Sequence, residues 1–433
     1  MSEAGQKAGQ GPAFRTRTLA SGLTVVTVPR PGTEAATVSF LFRGGSRYET
    51  PETNGIAHFN EHLAFKGGKR YPDYRAVTQA FDKIGAVSNA FTGAEVTGFW
   101  AKTRAAHILD VADVFSDVLT ATAYDPDELN KERGVIIEEI NMYEDDPAAD
   151  IYQVLEAVTF PDHPLGRSTL GPKENIRRFT PDDFRAYERR HQTPDRCVLV
   201  IAGKVDGLDE AKLDGLLGRF SGTSDVQPEG AVVSQTEPRL RVKTKQTEQT
   251  HIGLTLRAPS LEDRAASPVL GVLAQLLGGT MSSRLFTEVR EKRGLAYYVR
   301  ALPDQLTDTG MLVVAAGVKN EQAHDALEAI ITELKRLRDG DLPADELAMH
   351  KDSQMGRLAL RWEDSMALAE FYGEQQLLVG DVKTTKDRLK EIAAVTRDQV
   401  IDLAKEIVAD RGLSAAVIGP HEDRKFKDVL TFE

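Results

Sequence analysis

The feature that most restricts the fold is a repeat about 210 residues long. A helical run that begins near His58 ends in Gly67-Gly68, and a second run, Ser267 to Leu277, ends in Gly278-Gly279. Gly85 closes the run Tyr74 to Ile84, and Gly294 closes Arg284 to Arg293. The apolar run Cys197 to Gly203 is matched by Leu413 to Gly419. These landmarks recur 211, 209 and 216 residues on, so one α/β unit has been duplicated. At 433 residues the chain is also too long for one ordinary core.

Local patterns fill in each copy. In the first, Thr18 to Val28 predicts a hairpin around Ser21-Gly22, and Ala36 to Phe42, Ala86 to Thr92 and Val96 to Lys102 predict strands. An amphipathic helix is expected over Ala105 to Leu119, and a longer one opens at Asp125-Pro126. The second copy predicts strands at His251 to Arg257, Tyr297 to Leu302 and Met311 to Ala316. Between the copies, Ser221 to Pro238 is rich in Ser, Thr, Gly, Gln and Pro without periodicity. The expected organisation is a disordered tail over 1–13, a domain over 14–222, a linker over 223–238 and a second domain over 239–433.

The chemistry concentrates in His58-Phe59-Asn60-Glu61-His62. On a helix, positions i, i+3 and i+4 share a face, so two imidazoles and a carboxylate meet at one spot. Histidines four residues apart can bind one zinc ion, leaving the carboxylate to take a proton from water. The order is the reverse of the common zinc-protease motif. A catalytic zinc keeps three protein ligands, so one more is needed. In the later helix Glu132 and Glu139 lie two turns apart on one face, with Val135 and Ile136 between them, while Glu138 points to the solvated side. Shifting the motif by the repeat length gives Val269, Val272 and Leu273, so the second copy holds no metal site.

Composition removes other classes. The single cysteine, Cys197, lies in an apolar strand and excludes both an intrachain disulfide framework and a cysteine-rich zinc site. A net charge of −12 argues against a nucleic-acid-binding surface. Acidic ground could attract basic peptides or simply aid solubility. Met1 to Pro12 has no apolar signal core, and no stretch reaches the length of a membrane span, so a cytoplasmic protein without membrane partners is expected. His107, His163, His191, His251, His324, His350 and His421 lack ligand-like spacing.

The motif, the distance of Glu139 from His62 and the surrounding Glu-Arg-x-Val-Ile-x-Glu-Glu-Ile pattern resemble the inverted zinc endopeptidases of the pitrilysin, insulin-degrading enzyme and mitochondrial processing peptidase family. The resemblance covers nearly the whole chain and points to a short, two-domain, bacterial-type member similar to the processing peptidase beta subunit. It implies an α+β fold: two homologous α/β sandwich domains, each a mostly antiparallel sheet with helices packed on one face. It implies one zinc per chain on His58, His62 and Glu139, with Glu61 as the base and Glu132 as a supporting acid.

Arg290 and Tyr297, seven residues apart in the second copy, resemble the pair that this family uses to hold substrate and the tetrahedral intermediate; Tyr298 stands next door. Ser88 to Thr92 resembles the edge strand that receives an extended peptide, with Asn89, Ala90 and Phe91 as binding residues. By the same resemblance a homodimer would bring Arg290 and Tyr297 of one chain to the zinc of the other, four domains closing a chamber around peptide or leader substrates. The alternative is a catalytically silent scaffold, or a partner subunit of a heteromeric processing peptidase.

Overall fold

The computed structural model describes residues 13–232 and 234–433; most of the expected tail lies outside them. Two sheets dominate. The first is built from β1 (Arg15–Thr18), β2 (Thr24–Pro29), β3 (Ala35–Arg43), β4 (Val87–Thr92), β5 (Val96–Arg104) and β6 (Cys197–Gly203), in the order β1-β2-β6-β3-β5-β4. The second contains β7 (Arg239–Thr244), β8 (Gln249–Ala258), β9 (Ala296–Gln305), β10 (Gly310–Lys319) and β11 (Leu413–Gly419), in the order β7-β11-β8-β10-β9. Strand by strand the second order copies the first without β1. In each sheet a single pair is parallel, β2 with β6 and β7 with β11, and the other neighbours are antiparallel.

The first half carries α1 (Ile56–Ala64), α2 (Tyr74–Lys83), α3 (Ile108–Val118), α4 (Pro126–Asp145), α5 (Pro147–Thr159), α6 (Lys173–Arg178), α7 (Pro181–His191) and α8 (Glu210–Leu217). The second carries α9 (Ala266–Gly278), α10 (Ala323–Arg338), α11 (Ala344–Arg361), α12 (Ser365–Glu374), α13 (Thr385–Ala394) and α14 (Arg397–Ile407). Side chains of α2, α3 and α8 pack on one face of the first sheet around Phe40, Phe42 and Phe99. Likewise α9, α10 and α14 cover one face of the second around Leu254 and Leu256.

The opposite faces show what local patterns could not foresee. Leu368, Ala369 and Tyr372 of α12, a second-half helix, pack on Leu41, Val198 and Val200 of the first sheet. In exchange, Ile151, Val154 and Leu155 of α5 pack on Met311, Val313, Ala416 and Ile418 of the second. The expected one-face packing thus describes each half's own helices, and the remaining face is closed by a helix from the other half. This is why β3 is buried along both faces rather than alternating. Two glycines permit the close approach. A Cβ at Gly373 of α12 would lie 2.4 Å from Leu41 Cδ1, and one at Gly253 of β8 would lie 3.1 Å from Leu155 Cδ2.

Covalent continuity through residues 220–238 contributes little beside this exchange; the described residues there form neither helix nor strand. A single cleavage near the exposed Asp225 is therefore expected to leave both fragments in one particle on size-exclusion chromatography. Separate elution of the halves would contradict the exchange. Ile151→Ala, which removes a fully buried contact of α5, is expected to cost about 2–5 kcal/mol of stability in denaturant titration.

Candidate metal centre

Helix α1 is two-faced. Ile56, Phe59 and Leu63 point into a cluster with Leu129, Ile136 and Ile140 of α4 and Phe184 of α7. The other face turns His58, Glu61 and His62 toward a cleft of about 1210 Å³. Helix α4 begins in the manner its sequence demands. The Asp125 carboxylate accepts from the backbone N–H groups of Asp127 (2.9 Å) and Glu128 (3.1 Å), and Pro126 occupies the first helical position. Two turns apart on α4, Glu132 and Glu139 flank the fully buried Ile136. Val135, expected between them, is instead half exposed, because it stands about 100° around the helix from Ile136.

This packing brings Glu139 to the histidines. Its Oε2 lies 3.6 Å from His58 Nε2 and 3.6 Å from His62 Nε2. Ligand atoms about 2.0–2.1 Å from a tetrahedral zinc lie roughly 3.4 Å apart, so the three side chains fit the ion with little movement. The other nitrogen of His62, Nδ1, is 3.2 Å from Glu132 Oε2, and Glu132 Oε1 is 2.5 Å from Lys66 Nζ. The chain Lys66, Glu132, His62 thus fixes one ring from behind, as partners of metal-binding histidines do.

Charge is distributed unevenly. Burial, reinforced by His62, holds His58 well below the usual imidazole range despite Glu139. Burial also pushes His62 down, but its bonds to Glu132 and Glu139 and the nearby charge of Glu61 outweigh this and carry it upward. Glu139 is lowered first by its bond to His62, against the pull of burial. Burial opposes Glu132 as well, yet His62 and Lys66 hold it low. Burial raises Glu61, which accepts a hydrogen bond from Thr92 Oγ1 at 2.5 Å. A carboxyl with an elevated pKa beside a prospective metal is suited to carrying a proton.

The remaining sequence candidates fall in two places. Asn89, Ala90 and Phe91 line the same cleft as His58, Glu61, His62 and Glu139. They belong to β4, which among the described residues pairs only with β5 and forms one edge of its sheet. Arg290 and Tyr297 do not line that cleft. Arg290 lies in the last turn of a short π-helical segment, Phe286–Lys292, with its guanidinium 6.0 Å from the centre of the Tyr297 ring. Tyr297 is 74% exposed, whereas Tyr298 is tied to His251 Nδ1 at 3.1 Å. That separates the free tyrosine from the structural one. Val269, Val272 and Leu273 are buried in the second core.

Two supports escaped sequence reading. Lys66 follows His62 by four residues and could have been found by extending the helical face; Thr92 reaches Glu61 only because β4 passes over α1. A second grouping, His324, Asp325 and Glu328, lies at the exposed start of α10, with His324 tied to Asp428.

A duplicated sandwich carrying one His-x-x-Glu-His helix and a distant glutamate defines a class, the scaffold of the inverted zinc metallopeptidases. Known proteins place the chain within it. Residues 24–173 match the profile of insulinase (peptidase family M16), and residues 178–354 match the peptidase M16 inactive domain. An uncharacterized zinc protease of Streptomyces coelicolor is 35% identical over 420 residues, covering 95% of this chain and 90% of the relative. The uncharacterized zinc protease YmxG of Bacillus subtilis is 32% identical, covering 93% and 97%. A protease from Helicobacter pylori of known structure superposes with a TM-score of 0.88 at 24% identity, covering 94% of this chain and all of that one. The chain belongs to peptidase family M16.

If Glu132 orients His62, Glu132→Gln should weaken zinc binding about 10–100-fold, measured by competition with a chromophoric chelator. Lys66→Met should act in the same direction. Unchanged affinity in both variants would separate this chain of contacts from the metal centre.

Proposed function

We propose that the protein is a zinc-dependent endopeptidase that hydrolyses extended peptides, with one ion per chain held by His58, His62 and Glu139. The observation that carries this reading is that a complete ligand triad, the Glu61 carboxyl and an open strand edge share one cleft. When bound, zinc supplies a Lewis acid that polarises the scissile carbonyl and activates water. Glu61 takes the proton of that water and returns it to the leaving amine, its position fixed by Thr92. Glu132 accepts from His62 and keeps the ring aimed. Backbone pairing along Asn89, Ala90 and Phe91 gives affinity with little demand on sequence, and cleft pockets then select side chains.

In this reading a second copy of the chain completes the site, its Arg290 and Tyr297 donating to the developing oxyanion. Each well-placed donor contributes on the order of 3 kcal/mol. Supporting this arrangement, the half-buried Arg290 and the exposed Tyr297 lie near one another yet outside their own chain's cleft. Two copies would enclose a chamber admitting short or unfolded peptides, whether leader segments or general oligopeptides, in the cytoplasm. No helix among the described residues is long and apolar enough to cross a membrane. A silent scaffold, or a subunit of a heteromer, is the competing assignment; the complete triad and the retained Glu61 speak against it.

Glu61→Gln is expected to keep its zinc while cleavage of a quenched peptide falls about 10²–10⁴-fold. A chelator should abolish wild-type cleavage, and zinc should restore it. Mixing Glu61→Gln chains with Tyr297→Phe chains should restore activity through hybrid dimers that contain one intact site. No recovery, once subunit exchange is demonstrated, would refute completion in trans.

A further inference from the structure

His58 occupies an exposed position in helical terms although its side chain is buried. It is the third residue of α1, inside the first turn, where backbone N–H groups lack helical partners and helices fray. A metal ligand there needs a firm cap, and the residue at the cap position offers none. Gly55 has φ 98° and no side chain, and a Cβ on it would lie 2.7 Å from the carbonyl oxygen of Leu170. No serine, threonine or aspartate fits at that position.

The cap arrives from elsewhere. Glu49, buried beneath the start of the helix, accepts from Gly55 N–H (2.9 Å) and Asn54 Nδ2 (2.8 Å) through Oε2, and from Ala57 N–H (2.8 Å) through Oε1. Ala57 is the residue before His58. Burial pushes the Glu49 carboxyl up to about 7, while the donors Ala57, Asn54 and Gly55 pull the other way by favouring its charged form; once ionised it also meets the positive end of the helix dipole. Glu49 itself is not free to move: its carbonyl oxygen accepts from Arg167 (2.8 Å), and Asn54 also donates to Ser168 O (2.8 Å).

The same short segment is anchored to the other half of the molecule. Arg47, two residues before Glu49 and fully buried, donates to Glu95 (2.6 Å), to Asp308 (2.7 Å) and to the carbonyl of Glu229 (2.7 Å). Glu95 in turn accepts from the backbone and hydroxyl of Thr307, at 2.8 and 2.9 Å. Thr307 and Asp308 form the turn between β9 and β10, so the half that lacks a metal site holds the segment that caps the metal helix.

We propose that Glu49 is a positioning residue for the metal centre: its two buried side-chain oxygens replace the missing cap of α1 and hold the first turn so that His58 stays in register with His62 and Glu139. It does not line the cleft and takes no part in the chemistry. The inference rests on the metal reading of the three ligands. A glutamine keeps the size of the side chain but turns an N–H₂ toward one of the N–H donors, so it cannot satisfy both oxygen positions.

The test uses the full chain. Glu49→Gln is expected to weaken zinc binding about tenfold and to alter the visible absorption of the cobalt-substituted protein, which reports ligand geometry. Leu327→Ala, in the second core, should lower thermal stability while leaving zinc affinity and the cobalt spectrum unchanged. If wild type binds zinc and Glu49→Gln binds it equally, with the same cobalt spectrum, the inference is overturned and the metal reading stands. If wild type takes no zinc, the metal reading falls and this inference with it. Should Glu49→Gln not fold, hydrogen exchange of wild type decides: slow amides at Gly55 and Ala57 support the cap, and exchange at exposed-loop rates overturns it.

Discussion

The packing of α1 against α4 is the contact on which the site depends. Two histidines four residues apart face the same way on any helix, but the third oxygen must come from a separate element, and side chains reach only a few ångströms. Phe59 and Leu63 on one helix and Leu129, Ile136 and Ile140 on the other form a shared apolar cluster that sets their distance and axial register. With that register, Glu139 stands 3.6 Å from both ring nitrogens while Glu132, two turns earlier, stands behind His62. A slip of one residue along α4, 1.5 Å of rise with a 100° turn, would remove both carboxylates at once.

The exchange of α5 and α12 places this pair of helices within the whole. Asp146 ends α4 and caps α5, accepting from Ala148 N–H at 2.9 Å, so the helix bearing Glu139 runs directly into the one buried on the opposite sheet. The cleft is therefore walled by both halves: residues of β4 on one side and Arg241 and Lys243 of β7 on the other line it together with the triad. Buried charge at the junction is tolerated because both terminal nitrogens of Arg47 are bonded, Nε alone being left without a partner. Arg47 meets two carboxylates and a carbonyl, which offsets a desolvation cost that an unpaired guanidinium could not bear. Duplication gave two similar halves, yet the second spends the equivalent helix face on Val269, Val272 and Leu273, so the candidate triad lies in one half and the other supplies support.

Much was legible before any fold was in view. The face shared by His58, Glu61 and His62 follows from 3.6 residues per turn, as does the alignment of Glu132 with Glu139. The near-constant repeat offset anticipated two sheets of matching order, and the run Ser88 to Thr92 was read as an edge strand, where it lies. Errors and omissions had specific causes. Val135 and Ile136 were grouped between the two carboxylates because spacing alone does not say which apolar neighbour of a carboxylate faces inward. Helices α5 and α12 went unread because a helix that packs on a sheet from the other half leaves no mark of its destination in its own periodicity. Thr92 and Glu49 act across elements whose relation no short window contains.

The sequence by itself determined the local geometry: which residues share a helical face, where helices start and stop, that the metal motif occurs once, and that the chain is built twice from one plan. Those properties depend on backbone periodicity and on side chains a few residues apart. Tertiary structure alone decided that Glu139 meets the two histidines, that each sheet is closed by the other half's helix, and that a buried glutamate caps a helix beginning at glycine. These depend on how apolar surfaces far apart in the chain fit together, and that fit is set by packing in three dimensions.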